Sequence, residues 1–185
     1  SVKSQVSLSK AGNNLTTTTT ASSASDVYDV SDIVTNCMPS VVSITNVGTQ
    51  EFQTIFGNYE QDTQSSGSGI IIGKNDTELL IVTNNHVVSG AKELSVYFNS
   101  DGDAADDSNV ISAKIKGTDP NKDLAVIAVK LSDIPDETME SIKIATVGDS
   151  SALKVGEPVV AIGNAYGYGL SVTSGIVSAL NREVT

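Results

Sequence analysis

"GIIIGKNDTELLIVTNNHVV", Gly69 to Val88, carries two short Val/Ile/Leu runs on either side of a polar stretch. "KNDT" (Lys74–Thr77) has the composition of a hairpin turn, because Asn and Asp tolerate tight backbone and accept from nearby N–H groups. The flanking runs, "GIIIG" and "ELLIVTN", are β-branched and bounded by Gly and Asn, which reads as a pair of strands. Working outward, the pattern repeats in "ELSVYFN" (Glu93–Asn99), "VISAKIKG" (Val110–Gly117), "DLAVIAVK" (Asp123–Lys130), "PVVAIGN" (Pro158–Asn164) and "SVTSGIVSAL" (Ser171–Leu180). No helical stripe of good length interrupts the series. Short runs at this spacing predict an all-β fold, a barrel or a sandwich.

Upstream, residues 1–25 are Ser/Thr-rich and include the run Thr16–Thr20. They lack the apolar surface to offset their ordering entropy, so a disordered tether is expected there. Ser31 and Asp32 suit the start of a short helix that stops before Pro39. Val41, Val42, Ile44 and Val47 follow as a strand. Gly48–Gly69 is polar and Gly-rich at its end and reads as a long loop, with Phe52, Phe56 and Tyr59 as its apolar exceptions. "NSDGDAADDSN" (Asn99–Asn109) reads as a solvated hairpin tip. It fails the EF-hand template, with Asp106 where the turn glycine belongs, so no calcium is expected on it.

Acidic residues outnumber basic ones 22 to 11, giving a formal net charge of −11. Such a chain repels phosphate backbones and anionic lipid, so no nucleic acid is expected as a partner. The single cysteine, Cys37, excludes an intrachain disulfide and a multi-Cys zinc site. No stretch approaches the roughly 18 apolar residues of a spanning helix. The chain begins with Ser1 and stops at "SALNREVT", so both ends look cut, with a leader or anchor expected upstream.

His86 is the only histidine. It follows a strand and precedes the tight stretch "VVSGA", which holds an imidazole in a defined place. Asp123 opens an apolar strand, where a carboxylate needs a hydrogen-bonding partner. An imidazole N–H is a suitable one, and a carboxylate on one ring nitrogen leaves the other as a base. On the residues alone, a polar turn histidine and a turn-capping aspartate stay open, although Asp119, before Pro120, is better suited to the capping role.

Three stretches together resemble the HtrA/Deg family of trypsin-like serine proteases: "SGSGIIIGKNDTELLIVTNNHVVSGA" (Ser66–Ala91), "GTDPNKDLAVIAV" (Gly117–Val129) and "VGDSSALKVGEPVVAIGNAYGYGLSVTSGIVSALNR" (Val147–Arg182). The resemblance spans roughly residues 40–182. It implies a trypsin-like double β-barrel, with the first barrel complete and the second only begun. The implied division is a disordered tether at 1–30, a first barrel carrying His and Asp at 31–147, and the first strands of a second barrel at 148–185. His86 in "TNNHVV" would be the general base and Asp123 in "DPNKDLAV" its orienting carboxylate. "EFQTIFGNYEQ" (Glu51–Gln61) falls where the family has a regulatory loop. "GNAYGYG" (Gly163–Gly169) fits a tight turn whose Tyr166 and Tyr168 line a cleft or cover a barrel end.

The family's nucleophile lies in a Gly-Asn-Ser-Gly-Gly motif, which does not occur in this chain. Ser68, between glycines, and Ser174, before a single Gly, both read as strand residues and not as nucleophiles. The resemblance therefore implies a serine-type endopeptidase of protein quality control whose serine is not in this chain, and no activity for these residues alone. It further implies unfolded or damaged polypeptide substrates, no metal and no organic cofactor, a homo-oligomer in the intact protein, and an extracytoplasmic, cell-envelope or membrane-tethered location. The alternatives are a non-catalytic truncated homologue acting as a binding module and, more remotely, a calcium-binding β module. Strands of an unfinished second barrel would leave an open edge with exposed Val and Ile.

Overall fold

Along Glu78–Thr83 the side chains alternate, with Leu79, Ile81 and Thr83 buried and the residues between them half-buried. A period of two with one apolar face belongs to a sheet packed on a core. A computed structural model of the protein describes residues 4–7, 16–19, 29–54, 57–98, 110–163 and 171–182. It divides into two compact units, Ser1–Val30 and Ser31–Thr185.

In the first unit, β1 (Ser4–Ser7) pairs antiparallel with β2 (Thr16–Thr19). The other residues of the expected tether, 1–3, 8–15 and 20–28, lie outside the described residues. Threonine's branched Cβ favours extended backbone, and a ladder satisfies backbone groups without needing an apolar face.

The second unit opens with α1 (Ser31–Cys37), followed by a 3₁₀ turn, Met38–Ser40, that carries Pro39. Six strands then close a barrel: β3 (Val41–Thr54), β4 (Gly57–Lys74), β5 (Glu78–Thr83), β6 (Ala91–Phe98), β7 (Val110–Asp119) and β8 (Leu124–Lys130). A single helical turn, α2 (Asn85–Val88), lies between β5 and β6. The order around the barrel is β3-β4-β5-β8-β7-β6, with every pairing antiparallel and β6 returning to β3. The all-β expectation holds, and a closed barrel is the form it takes. The "KNDT" turn is closed by Asn75, whose Oδ1 accepts from the N–H groups of Thr77 and Glu78 at 2.9 and 2.7 Å. Register shifts fall at Ile71/Gly73 and Ile115/Gly117, where an extra residue sharpens the coil of a small barrel.

Two features lie outside the sequence expectations. The supposed loop at 48–69 is mostly strand, because β3 and β4 stay in register from Val41↔Ile70 out to Thr54↔Gly57. A ladder of this kind satisfies the backbone N–H and C=O groups of both strands. The second is α3 (Asp136–Ser141), a short helix with Asp136 and Glu137 in its first turn, where the helix dipole favours acidic groups. Thr138 is buried, and Met139 packs on the barrel core. Beyond α3 the chain straps across the barrel: the N–H groups of Lys143 and Ala145 donate to the carbonyls of Pro39 and Ile71 at 3.0 and 2.8 Å. β9 (Pro158–Gly163) and β10 (Ser171–Ile176) form a separate antiparallel pair. Around this pair Val147, Val155 and Ile176 are exposed, at 79, 62 and 61%. The hairpin tip at 99–109 and the "AYGYG" residues lie outside the described residues, as does Phe56. Among the described residues no helix is long and apolar enough to cross a membrane.

Among the described residues the core is aliphatic with one aromatic, Phe98. Val42, Ile44, Ile71, Ile81, Val96, Phe98, Ile127 and Val129 are essentially inaccessible. Each contributes about 1.5–3 kcal/mol of transfer free energy on burial. Gly69 is part of the same fit, since a Cβ there would lie 2.6 Å from Ile81 Cγ2 and 2.8 Å from Ile44 Cδ1. Gly69→Ala is therefore expected to overpack the core and lower unfolding free energy by about 1–3 kcal/mol, read by urea denaturation. An unchanged midpoint would show that this part of the core has slack.

Candidate active site

Thr83 of β5 stands opposite Ala125 of β8. That register brings the chain leaving β5 and the chain reaching β8 to one rim of the barrel. His86 leaves on α2, and Asp123 arrives from the turn that follows β7.

Too short to hold itself, α2 is held by what it rests on. Val87 and Val88 are buried in the core, which leaves His86 outward with its side chain 71% exposed. Val87 seats against Gly67 of β4, where a Cβ would lie 2.5 Å from Val87 Cγ2. From beneath, the buried Asn46 of β3 donates its amide to the carbonyls of Val87 and Ser89 at 2.9 and 3.1 Å. The side chain of the N-cap residue Asn84 does not bond into its own helix. Its Nδ2 instead donates to the carbonyl of Asp123 at 3.0 Å.

The turn before β8 is built by Asp119, whose Oδ1 and carbonyl both accept from the Lys122 N–H, and by Asp123 N–H donating to the Pro120 carbonyl. Asp123 has φ +52, a left-handed conformation that aspartate tolerates better than most residues. Its carboxylate grips one residue twice. Oδ1 accepts from the His86 backbone N–H at 2.9 Å, and Oδ2 lies 2.7 Å from His86 Nδ1. An ionised carboxylate only accepts, so Nδ1 carries the proton of a neutral ring and Nε2 carries the lone pair. Nε2 has no protein partner among the described residues. The backbone N–H of His86, and then its ring, hold the Asp123 carboxyl below its ordinary value of 3.8. Both side chains are exposed, so the pair adds little stability, and its consequence is the orientation of the ring.

The structure thus joins His86 to Asp123 and gives Asp119 the turn role. Ser68 lies within β4 opposite Ser43, and Ser174 lies exposed within β10 opposite Val160. Both are strand residues without the sharp turn that presents a nucleophile. A cavity of about 410 Å³, lined by Asp76, Glu78, Lys130 and Ser132 among others, opens at the other end of β5 from His86. Among the described residues no three His, Cys, Asp or Glu side chains gather as metal ligands would. Sequence reading missed Asn46 and Gly67. Asn46 had a signal, since it occupies an inward position of the alternation Val42, Ile44, Asn46.

A barrel with a carboxylate-held histidine at its rim is the arrangement of trypsin-like peptidases, and the trypsin-like peptidase domain family matches residues 67–185. The Serine protease Do-like HtrA of Bacillus subtilis is 38% identical over 88% of this chain and 34% of its own length. A probable periplasmic serine endoprotease, DegP-like, of Hahella chejuensis is 37% identical over 87% of this chain and 36% of its own. Among solved structures, the HtrA-type protease AlgWS227A with a decapeptide superposes with a TM-score of 0.66 at 28% identity, covering 84% of this chain and 46% of that one. The chain belongs to the trypsin-like peptidases, and within them to the HtrA/Deg family. It spans about a third of the length of the curated relatives it matches.

A depressed carboxyl stabilises the fold above its unfolded pKa, and that contribution is lost as pH falls through the lower folded value. The stability difference between the wild type and Asp123→Asn should accordingly be present at pH 5 and shrink as pH falls below about 4. Denaturation midpoints of the two proteins across this range provide the check, and a difference that grows on acidification would contradict the assignment.

Proposed function

We propose that this chain supplies the general base and orienting carboxylate of an HtrA-like serine endopeptidase acting in protein quality control. The observation that supports this reading most directly is the double acceptance by Asp123 of the His86 N–H and ring, which leaves Nε2 as the basic nitrogen. Nε2 takes the proton of a serine hydroxyl as it attacks a peptide carbonyl, and returns it to the leaving amine. The carboxylate steadies the imidazolium formed between these steps. Water then releases the acyl group by the same base catalysis.

In this reading the serine and its oxyanion donors come from sequence outside these 185 residues, since no Gly-Asn-Ser-Gly-Gly occurs among them. Substrates are unfolded or damaged polypeptides, in keeping with the decapeptide that accompanies AlgW in its solved structure. The location is extracytoplasmic, in keeping with the periplasmic name of the Hahella relative. The intact protein is a homo-oligomer, and the reaction needs no metal or organic cofactor.

Casein hydrolysis tests the reading. The isolated 185 residues should be inactive, and a protein that joins them to a segment bearing the serine motif should be active. In that longer protein His86→Ala is expected to lower kcat by roughly 10⁶-fold and Asp123→Asn by roughly 10⁴-fold, the scale seen when such members are removed from serine proteases. Activity that survives His86→Ala would sink the proposal, and a longer protein without activity would favour a non-catalytic binding module.

A further inference from the structure

The one-turn helix α2 must carry a base to a fixed place, yet it is too short to fix itself. Its own bonds include Val87 N–H to the Asn84 carbonyl at 3.2 Å and Ser89 N–H to the Asn85 carbonyl at 2.9 Å. The carbonyls of Val87 and Ser89, at the end of the turn, find their donor elsewhere in the molecule. That donor is Asn46, 41 and 43 residues away in sequence. Its carboxamide N–H₂ has two hydrogens, and both are used, one on each carbonyl.

The site around Asn46 is built for this. Its side chain is only 4% exposed and sits on the core-facing side of β3, where its neighbours in the alternation are Ile44 and Gly48. β3 is held on both sides, since Asn46 stands opposite Ser65 of β4 and Leu94 of β6. A donor on such a strand is rigid. Gly67, on β4, meets the same turn from the side by admitting Val87. The amide oxygen, Oδ1, is buried and has no partner among the described residues. A polar residue whose acceptor goes unused in a core is there for its donors.

We infer that Asn46 is the positioning residue of the proposed base: by forking onto the Val87 and Ser89 carbonyls it fixes the height and rotation of α2, and so holds His86 where Asp123 can grip both its N–H and its ring. This rests on the catalytic reading only for the meaning of the placement. The placement itself is a property of the described fold. Asn46 touches no substrate and acts through α2.

The sole histidine makes the test direct. In ¹⁵N NMR at mildly alkaline pH, the His86 ring of the wild type should show the proton on Nδ1 and a bare Nε2. Asn46→Leu keeps the branched shape of the side chain, at a larger volume, and removes both donors. It should give a ring averaged between the two tautomers, and a His86 amide exchanging about tenfold faster, the factor expected on losing a hydrogen bond. Leu79→Ala is the control. It opens a cavity in the same core at the far end of β5 and lowers thermal stability, but should leave the His86 tautomer and amide exchange as in the wild type. If Asn46→Leu does not fold, Asn46→Ser, which loses the forked geometry at smaller cost, is measured for the same two signals. A folded Asn46 variant with wild-type tautomer and exchange overturns the inference, as does a Leu79→Ala variant that shifts both signals equally. Peptidase activity is not the readout, so a His86 that proves not to be the base would leave this result standing.

Discussion

The antiparallel ladder between β5 and β8 is the constraint on which the site depends. Its register, from Glu78↔Lys130 to Thr83↔Ala125, sets residues 86 and 123 on one rim although 37 positions separate them in sequence. The same register buries Leu79 and Ile81 against Ile127 and Val129. Slipping it by one residue would turn those side chains to the opposite face and carry His86 away from Asp123. Core packing and site geometry are therefore one condition, and the apolar burial that stabilises the barrel also places the polar pair.

The polar groups within the barrel follow a different logic from its aliphatic core. Thr83 faces inward and donates its hydroxyl to the Ser68 carbonyl at 2.7 Å. Asn46 makes two such bonds but buries an unpaired oxygen. Two hydrogen bonds at about 1 kcal/mol each are nearly offset by about 1–3 kcal/mol for the stranded acceptor. Asn46 therefore adds little to stability, and its effect lies in where it holds the chain. The exposed Asp123–His86 pair behaves similarly: solvent screens its contribution to folding, while its two-point contact still fixes the tautomer and direction of the ring.

Elements whose local pattern and tertiary role agree were legible in the sequence. The alternation in "ELLIVT", the apolar run "LAVIAV" and the turn residues of "KNDT" announce strands, because period-two burial and turn chemistry are written in neighbouring residues. His86 was conspicuous as the only histidine, and Asp123 as a carboxylate at the mouth of an apolar strand. The β3–β4 arm was not legible, because the polar, Gly-rich sequence at 48–69 carries no sustained hydrophobic period although its strands pair in register. Neither was α3, six residues long with no sustained apolar stripe.

What the sequence determined by itself was the series of short strands from β5 to β10, the all-β class and the two residues whose chemistry fits a base and its carboxylate. Tertiary structure alone decided which strands are neighbours, that the sheet closes through β6 and β3, and that the Asp123 carboxylate accepts from both the backbone N–H and the ring of His86. It also decided that Asn46, an ordinary asparagine in the one-dimensional chain, stands beneath the His86 turn. The physical reason is range. Propensity and burial period act over a few residues and can be read from them, whereas a hydrogen bond across 37 or 41 positions exists only once the barrel has closed.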